Sequence, residues 1–490
     1  MKRRLAAIGL LGALVPGSCF GETLMDAVLL AYQTNPTLRA QRAELRAADE
    51  GVVQAQAGYG PQMNLSGQAS HDAARVQQGP GLFTPATTTD YRANTATGEL
   101  SIVQPLYTNG SVRAQVGGAT AAVIAQREAL RQAESELIQN VATAYLDVRR
   151  DRETVLVLKD EITALTNEFA ETKARGASGV LTRTDVAQSE ARLLSAQAQL
   201  NLAQGRLEDS NAEYLAIVGQ SPGELGPEPV LEPVPDKLNQ AFDSADKNNP
   251  KLLAAVANEK VARGKVDEAK AANGPNVSLR FDAQIAPVEP YLEKQYYDSL
   301  SVMATVTQPI YTSGLNSSRI RAARDEDDRA QLDVESARRA AIQAVSQAWS
   351  EMASTDTAVT IEQRQLAVEQ EAVKGNRVEE RVGLRQNIDL LNAELELTNA
   401  RIGLVQGRHD AYLARVRLLA AMGLLEVRIL DTDAQTFDPA AAFRAVEGRG
   451  QVPWDGVIAV LDGIAAPSTP TPRLSAPGAG LQRPSSAGAR

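Results

Sequence analysis

The chain is poor in the residues on which most catalytic and metal sites depend. Its 490 residues include two histidines, His71 and His409, and a single cysteine, Cys19. The histidines are far apart in sequence and fall in different predicted elements, so we expect no metal or catalytic role for them. The sequence contains neither a nucleophile–base pairing nor a glycine-rich phosphate loop. We therefore predict that the protein is not an enzyme and holds no metal or cofactor.

Aromatic residues are also scarce, at 4% of the chain, although 43% of the residues are hydrophobic. Large globular cores usually draw on aromatic side chains for bulk. The apolar content is mostly alanine, leucine and valine, which favours helices that meet along narrow seams. The formal net charge is −10 and no basic stripe is present, which argues against a nucleic-acid partner.

The N-terminus has the layout of a secretory signal peptide. Basic residues at 2–4 precede an apolar run over 5–15, and small residues follow. The apolar run is too short to span a bilayer as a helix. We predict a signal peptide over 1–21 and a mature chain that starts at Glu22.

Cys19 lies inside this signal segment. Lipid attachment to Cys19 is the alternative interpretation, but Pro16 stands where a lipidation motif requires an aliphatic residue. We expect the cysteine to leave with the signal, so the mature protein would contain no thiol and no disulfide.

One heptapeptide occurs twice. QPLYTNG occupies 104–110 and QPIYTSG occupies 308–314, which is 204 residues later. Asn35-Pro36 and Gly60-Pro61 recur at an offset of 214, so ten more residues separate Gly-Pro from Gln-Pro in the first half. An interval that tolerates such a change contains a loop. The chain is thus predicted to be two copies of one unit of roughly 200 residues.

Each unit is predicted to contain a helix, two strands, a long helix and a return helix. Strands are predicted where polar and apolar residues alternate, and long helices where apolar residues recur every three, four or seven positions. The first unit, 22–220, has strands 61–70 and 95–107, a loop over 72–90, a long helix 110–175 and a return helix 181–219. After a linker strap, 221–236, the second unit, 237–430, has strands 275–285 and 298–311, a long helix 314–379 and a return helix 384–423.

The last segment, 431–490, is rich in proline, serine, alanine and glycine, especially towards its end. Such a composition buries little apolar surface, so we predict a disordered periplasmic tail.

Four alternating strands behind a signal peptide suggest an outer-membrane barrel, with a soluble sandwich as the alternative. Four strands are too few to close a transmembrane barrel, which needs about eight. An open sheet cannot stand in lipid with unpaired edges. Strands of several chains would therefore have to share one barrel, and three copies would supply twelve.

The chain resembles the TolC family of trimeric outer-membrane channel-tunnels of Gram-negative bacteria. The resemblance covers roughly 22–430 and rests on ETLMDAVLLAYQTNPTL, GYGPQMNLSGQAS, both heptapeptides, GVLTRTDVAQSEARL and GLRQNIDLLNAEL. It implies an α+β membrane protein in which three chains share a twelve-stranded antiparallel β-barrel. The barrel would continue into a long periplasmic helical barrel. Pro105, Gly110, Pro309 and Gly314 would mark the strand-to-helix junctions.

The resemblance also implies a gate at the periplasmic turns between long and return helices. Asp185 and Asp389 match acidic residues of that gate, and Arg385 matches an arginine that links neighbouring helices. Glu380 and Asn392 depart from the well-studied member of the family, which has a tyrosine and a second aspartate at these positions. We hypothesise that Arg385 with Asp185 or Asp389 helps to hold the closed state, although both aspartates also suit helix capping.

The function implied is that of a passive outlet recruited by an inner-membrane transporter and a periplasmic adaptor. Type I protein secretion with an ABC exporter is the leading interpretation, and multidrug efflux with a proton-driven RND-type pump is the alternative. A soluble periplasmic coiled-coil adaptor would explain the helices and the signal, but not four symmetrically placed strands.

Overall fold

The computed structural model of the chain describes residues 21–80, 82–83, 85–231, 234–288, 295–427, 437–464 and 466–470. The predicted signal peptide, apart from Gly21, lies outside these residues, and so does Cys19. The contacts divide the chain into two compact units. The first unit consists of the described residues within 21–39, Gln132–Asn249 and 341–427. The second unit consists of those within Ala40–Arg131, Pro250–Ala340 and 437–470.

The same order of elements occurs twice along the chain. The first copy contains α1 (Leu24–Thr34), α2 (Pro36–Gln56), β1 (Gln62–Gln78), β2 (Thr87–Tyr107), α3 (Ser111–Ala177) and α4 (Arg183–Val218). The second contains α5 (Leu238–Asn248), α6 (Pro250–Ala271), β3 (Asn276–Pro287), β4 (Tyr296–Thr307), α7 (Leu315–Arg381) and α8 (Asn387–Ala421). Both long helices, α3 and α7, have 67 residues.

Local sequence explains where several helices begin and end. Asn35 accepts hydrogen bonds from the backbone N–H groups of Thr37 and Leu38, at 2.9 and 3.2 Å, so it caps α2 as its sequence position suggests. Glycines with positive φ follow α4 and lie just beyond α8, at Gly219 (94°) and Gly423 (73°). Such a conformation costs glycine nothing and ends a helix cleanly.

The first unit is held together by packing between helices. One buried cluster joins α5, α7 and α8 through Phe242, Val345 and Leu418. Tyr145 and Tyr214 are fully buried, so the few aromatic residues lie where their bulk contributes most.

The second unit contains one antiparallel sheet with the strand order β1-β2-β3-β4. Each strand pairs with the next, which leaves β1 and β4 as the two edges of the sheet. A bulge interrupts the β2–β3 ladder between Pro105 and Tyr107, where proline lacks a donor N–H.

The strands differ from the predicted ones in two places. The expected loop over 72–90 is wrong, because β1 continues to Gln78 and β2 starts at Thr87. The extra ten residues of the first copy therefore lengthen a β-ribbon. The predicted strand 298–311 is also too long, because β4 ends at Thr307. The corresponding end of β2 pairs with β3, whereas β4 is an edge without that neighbour.

The C-terminal segment corrects a further expectation. The predicted disordered tail contains two short helices, α9 (Pro439–Arg444) and α10 (Asp455–Asp462). Ile458 of α10 packs against Tyr59 and Val112, so the segment has a docking place in the second unit. The prediction was based on the proline-rich composition of the whole segment and overlooked the apolar residues within 437–464. Residues 428–436 and 471–490 lie outside the described ones.

Candidate functional site: hairpin ends and strand-to-helix junctions

Two helical hairpins, α3–α4 and α7–α8, end in turns of the same design. Gly179 and Gly383 adopt φ values of 79° and 77°, and each turn is closed by a backbone bond from the next residue to the end of the long helix. Asp185 and Asp389 lie at the third position of α4 and α8, where each forms a capping box. Both aspartates therefore take part in capping by accepting from the N–H groups of Thr182 and Gln386, although the N-cap residues are Thr182 and Gln386 and not the aspartates.

Polar contacts connect the two hairpins just above these turns. Arg175 of α3 donates to Glu380 of α7 at 2.6 Å, and the Glu380 side chain is only 6% exposed. The Asn387 amide of α8 donates to Ser189 of α4 at 3.0 Å in a buried position. We call these four residues, with Glu394, the hairpin-end cluster.

Glu394 extends the cluster along α8. Its carboxylate accepts from Arg377 of α7 at 2.6 Å while its second oxygen is buried and lacks a partner in the described chain. A buried carboxylate without full pairing is costly. The packing of the helices must therefore help to keep Glu394 in this position, in addition to its attraction to Arg377.

The remaining gate residues inferred from the resemblance are placed differently from the hypothesis. Arg385 donates to Glu379 at 2.9 Å, and both side chains are about half exposed, at 49% and 46%. Asn392 accepts from Arg192 at 2.9 Å and so joins α8 to α4. Within the described part of one chain, Arg385 thus pairs with Glu379 and not with Asp185 or Asp389. Its role in a closed state stays a prediction.

Sequence reasoning missed Arg175, although a signal for it exists. Glu161, Glu168 and Arg175 are spaced by seven residues, so they form one polar stripe along α3. A charged stripe at heptad spacing usually indicates a solvated face. Here Glu161 is buried and Arg175 reaches Glu380, so the stripe faces the second hairpin.

Burial raises the pKa of two carboxyl groups in this stripe. For Glu161, burial is the main cause, opposed by Arg192 and reinforced by Glu394. For Glu168, burial again comes first; Glu394 of α8, Glu171 of α3 and Glu380 of α7 add repulsion, and Arg377 of α7 opposes it. Ionisation of either group in the folded protein is therefore unfavourable for the packing of the hairpins.

Glu168→Gln should stabilise the protein at neutral pH and weaken its response to acid. A carboxyl group with a raised pKa binds more protons when folded, so stability is highest below the unfolded pKa and falls as pH rises through the folded one. Thermal unfolding of wild type and variant between about pH 4 and pH 8 would measure the effect. Asp160→Asn, an exposed carboxylate on the same helix, is the matched control. A wild-type dependence that Glu168→Gln leaves unchanged would contradict the assignment.

The strand-to-helix junctions repeat each other in detail. Asn109 and Gly110 have φ values of 54° and 81°, and Ser313 and Gly314 have values of 50° and 81°. Two successive left-handed residues turn the chain from strand into long helix, which explains the Asn-Gly and Ser-Gly endings of the heptapeptides. The Gln of each heptapeptide also has a defined role that sequence reasoning did not reveal.

That glutamine ties the strand end to the segment preceding the first strand of each pair. Gln104 donates to the carbonyl groups of Tyr59 and Pro105 at 2.7 and 2.8 Å. Gln308 makes the same bonds to Asn273 and Pro309, at 2.8 and 3.1 Å. The two junctions thus share the same pair of hydrogen bonds, and the carbonyl groups of Pro105 and Pro309 accept from the glutamine in the same way.

The junctions differ in what covers them. Asp462, which is fully buried, accepts from the N–H and hydroxyl of Thr108 at 2.5 and 2.9 Å and from the N–H of Gly110 at 3.1 Å. The C-terminal segment thus binds the first junction. At the second junction, Ile310 and Tyr311 are 95% and 86% exposed.

The sheet has two chemically different faces. In the paired register, Leu65, Leu100, Ala283 and Leu300 lie in one row across the four strands, and other apolar residues share their face. The opposite face contains Asn64, Ser66, Ser101 and Ser301, together with a charged group. There Arg280 contacts Asp282 at 2.8 Å and Glu99 at 3.2 Å.

The two histidines make local polar contacts. His71 lies 2.7 Å from the Asn94 side chain, and His409 lies 2.8 Å from both Asp147 and Asp410. Within the described ranges, no group of three or more His, Cys, Asp or Glu side chains is arranged to hold a metal ion. In the same part of the chain, no helix has both the length and the apolar content needed to cross a bilayer.

Comparison with known proteins identifies the family. The model of the outer membrane efflux protein family matches residues 28–220 and 241–424, which together form most of the chain. The two matched segments correspond to the two repeats. The chain therefore belongs to the outer membrane efflux protein family, and it is an outer-membrane protein of the channel class.

Individual relatives agree with this assignment. The chain is 31% identical over 445 residues to the outer membrane efflux protein BepC of Brucella suis, covering 91% of this chain and 95% of that one. It is 25% identical to the proteases secretion protein PrtF of Dickeya chrysanthemi, covering 87% and 93%. The predicted family resemblance and outer-membrane location are confirmed.

A solved structure supports the fold. The outer membrane protein VceC of Vibrio cholerae superimposes with a TM-score of 0.68 at 20% identity, over 82% of this chain and 96% of that chain. The chain therefore shares its fold, long helices with one four-stranded antiparallel sheet, with a known outer membrane protein.

Proposed function

We propose that three copies of the chain share a twelve-stranded barrel and form the passive outlet of a tripartite export system. The observation that carries this proposal is the pair of open sheet edges, β1 and β4, on a sheet with one apolar and one polar face. Unpaired edges are not tolerated in lipid. Joining β4 of one copy to β1 of the next continues the antiparallel order, puts apolar residues outside and lines the lumen with polar ones.

The internal repeat specifies the register of that joint. Gln104 pairs with Leu279 in the β2–β3 ladder, and the repeat offsets of 204 and 214 convert this pair to Gln308 and Leu65. Leu65 lies on the edge strand β1 and is 82% exposed in the single chain, so a neighbouring strand can approach it. The proposed contact therefore places Gln308 of one copy opposite Leu65 of another.

Paired cysteines would test both the trimer and its register. In the mature protein, which we propose contains no cysteine, Leu65→Cys with Gln308→Cys should give a covalent trimer on non-reducing gels of outer membranes. Asn64→Cys with Gln308→Cys is the control, because a one-residue slip puts the side chains on opposite faces. Absence of any trimer, with or without cross-links, would refute the proposal; equal cross-linking of both pairs would refute the register.

For the transport system, we propose type I protein secretion with an inner-membrane ABC exporter and a periplasmic adaptor. The relative PrtF, whose name refers to protease secretion, supports this assignment. BepC, whose name refers to efflux and which is more similar, supports multidrug efflux with an RND-type pump as the second candidate. Deletion of the gene should abolish secretion of a particular protein in the first case and sensitise cells to several drugs in the second.

A further inference from the structure

The helix α10 is amphipathic, and within the described ranges only one of its sides is docked on the protein. Ile458 packs on Tyr59 and Val112, and the buried carboxylate of Asp462 holds the end of the helix at the first junction. The other side of the helix, together with Trp454 before it and Ile464 after it, consists of exposed apolar residues. Their exposed fractions are 48% for Trp454, 62% for Val457, 71% for Val460, 45% for Leu461 and 74% for Ile464.

This exposed side adjoins the apolar face of the sheet. Trp454, the residue preceding α10, donates its indole N–H to the Gln104 side chain at 3.1 Å. By the alternation of β2, Gln104 lies on the same face as Leu100 and Ile102. The helix thus starts where the apolar face of the sheet ends, at the strand ends that lead into the long helices.

Aromatic residues lie at both ends of the apolar face of the sheet, as expected at the two borders of a membrane. Tyr296 is at the start of β4, at the other end of the apolar face, and is 43% exposed. From Tyr296 to Thr307 the strand rises about 36 Å, and a tilt of about 40° reduces this to a height of roughly 28 Å. That height is close to the apolar band of an outer-membrane barrel, whose borders are usually marked by tyrosine and tryptophan.

We propose that α10 lies in the lipid interface of the periplasmic leaflet, with Trp454, Val457, Val460 and Ile464 inserted among the phospholipids. The proposal rests on the outer-membrane barrel proposed above. An interfacial helix buries its apolar face at the lipid boundary while its opposite side stays out of the hydrocarbon, and here Ile458 and Asp462 hold that opposite side on the protein. The C-terminal segment would then contact both the first junction and the membrane surface beside it.

Tryptophan fluorescence can test this directly, because the chain contains only Trp349 and Trp454. The full-length protein would be reconstituted in phosphatidylcholine vesicles that contain lipid brominated near the headgroup end of its chains. In a Trp349→Phe background, we expect bromination to quench Trp454 emission by roughly half, because interfacial indoles contact this region. Lipid brominated at the chain ends should quench it less.

Trp454→Phe provides the matched control. It leaves Trp349, which is half-buried in the helical cluster of the first unit, and its emission should not respond to bromination. Val457→Ser with Val460→Ser, in the Trp349→Phe background, should reduce the quenching of Trp454, since both side chains are exposed and the docked side is untouched.

The outcomes separate this inference from the proposed function. If the protein floats with the vesicles as a trimer but Trp454 remains unquenched, α10 does not contact lipid and the inference is wrong. Coverage of α10 by a neighbouring copy would give that same result. If the protein neither floats nor forms a trimer, the barrel itself is refuted, and the inference with it.

Discussion

Arg175→Ala should shift the channel towards its open state. The variant leaves the Glu380 carboxylate, 6% exposed, without the cation that lies 2.6 Å away in the structure. Removing one partner of a buried ion pair costs about 3–5 kcal/mol, and because Arg175 is partly exposed we expect roughly 2 kcal/mol. If the hairpin-end cluster holds the closed state, that energy changes the closed-to-open ratio about 30-fold. Open probability of single channels in planar bilayers would measure it.

Arg385→Ser is the informative comparison. Arg385 and Glu379 form an exposed pair, and such pairs contribute about 0–1 kcal/mol. The contacts within one chain therefore predict that Arg385→Ser changes the open probability only slightly. The family resemblance instead predicts a large change, because it assigns the closed state to Arg385. A larger effect of Arg385→Ser than of Arg175→Ala would contradict the assignment of the main contact to Arg175. If both variants have equally negligible effects on open probability, the hairpin-end cluster does not hold the closed state.

Gly110→Ala should release the C-terminal segment from the first junction. A Cβ atom on Gly110 would lie 2.4 Å from the Cβ and 2.9 Å from the Cα of Ala466. Such overlap cannot be relieved by a rotamer change, so the segment has to move, at a cost of about 1–3 kcal/mol beyond the backbone strain. Limited proteolysis of the folded protein should then cleave within 437–464 at least tenfold faster than in the wild type.

Gly314→Ala supplies a control with the same backbone conformation. Both glycines have a φ of 81°, so alanine costs about 1 kcal/mol of left-handed strain at either position. A Cβ on Gly314 meets nothing within 4 Å among the residues that the structure describes. The control should therefore leave the C-terminal segment protected. Similar proteolysis of both variants would mean that backbone strain, and not contact with Ala466, determines the outcome.

Much of the fold could be predicted because the same signals occur twice. Asn35 caps a helix as its sequence suggests, and the heptapeptides lie where strands give way to long helices. The prediction placed the end of β4 too late because Gln308–Tyr311 continues the pattern of a strand but has no pairing partner in the described part of one chain. Periodicity indicates which side chains share a face; it does not indicate whether a neighbouring strand is available.

The candidate site was harder to predict because its contacts join residues about 200 positions apart. Arg175 and Glu380 belong to different repeats, and nothing local to either one indicates the other. Asp462 is similar: nothing in the sequence distinguishes it from Asp438 and Asp455 of the same segment or indicates that three donors converge on it. The resemblance directed attention to both Arg385 and Glu380; of the two, the Glu380 side chain is buried and the Arg385 side chain is half exposed.

The ribbon formed by the extended β1 and β2 has a practical consequence. Its ladder continues from Gly98 to Thr87 after the pairing of β2 with β3 has ended at Gly98 and Ile285. A two-stranded ribbon receives little support from the rest of a fold, so changes to it have small effects on stability. In the proposed trimer, three such ribbons would extend from the cell surface. A peptide tag inserted at 82–83 would then be presented in three copies to antibodies outside the cell.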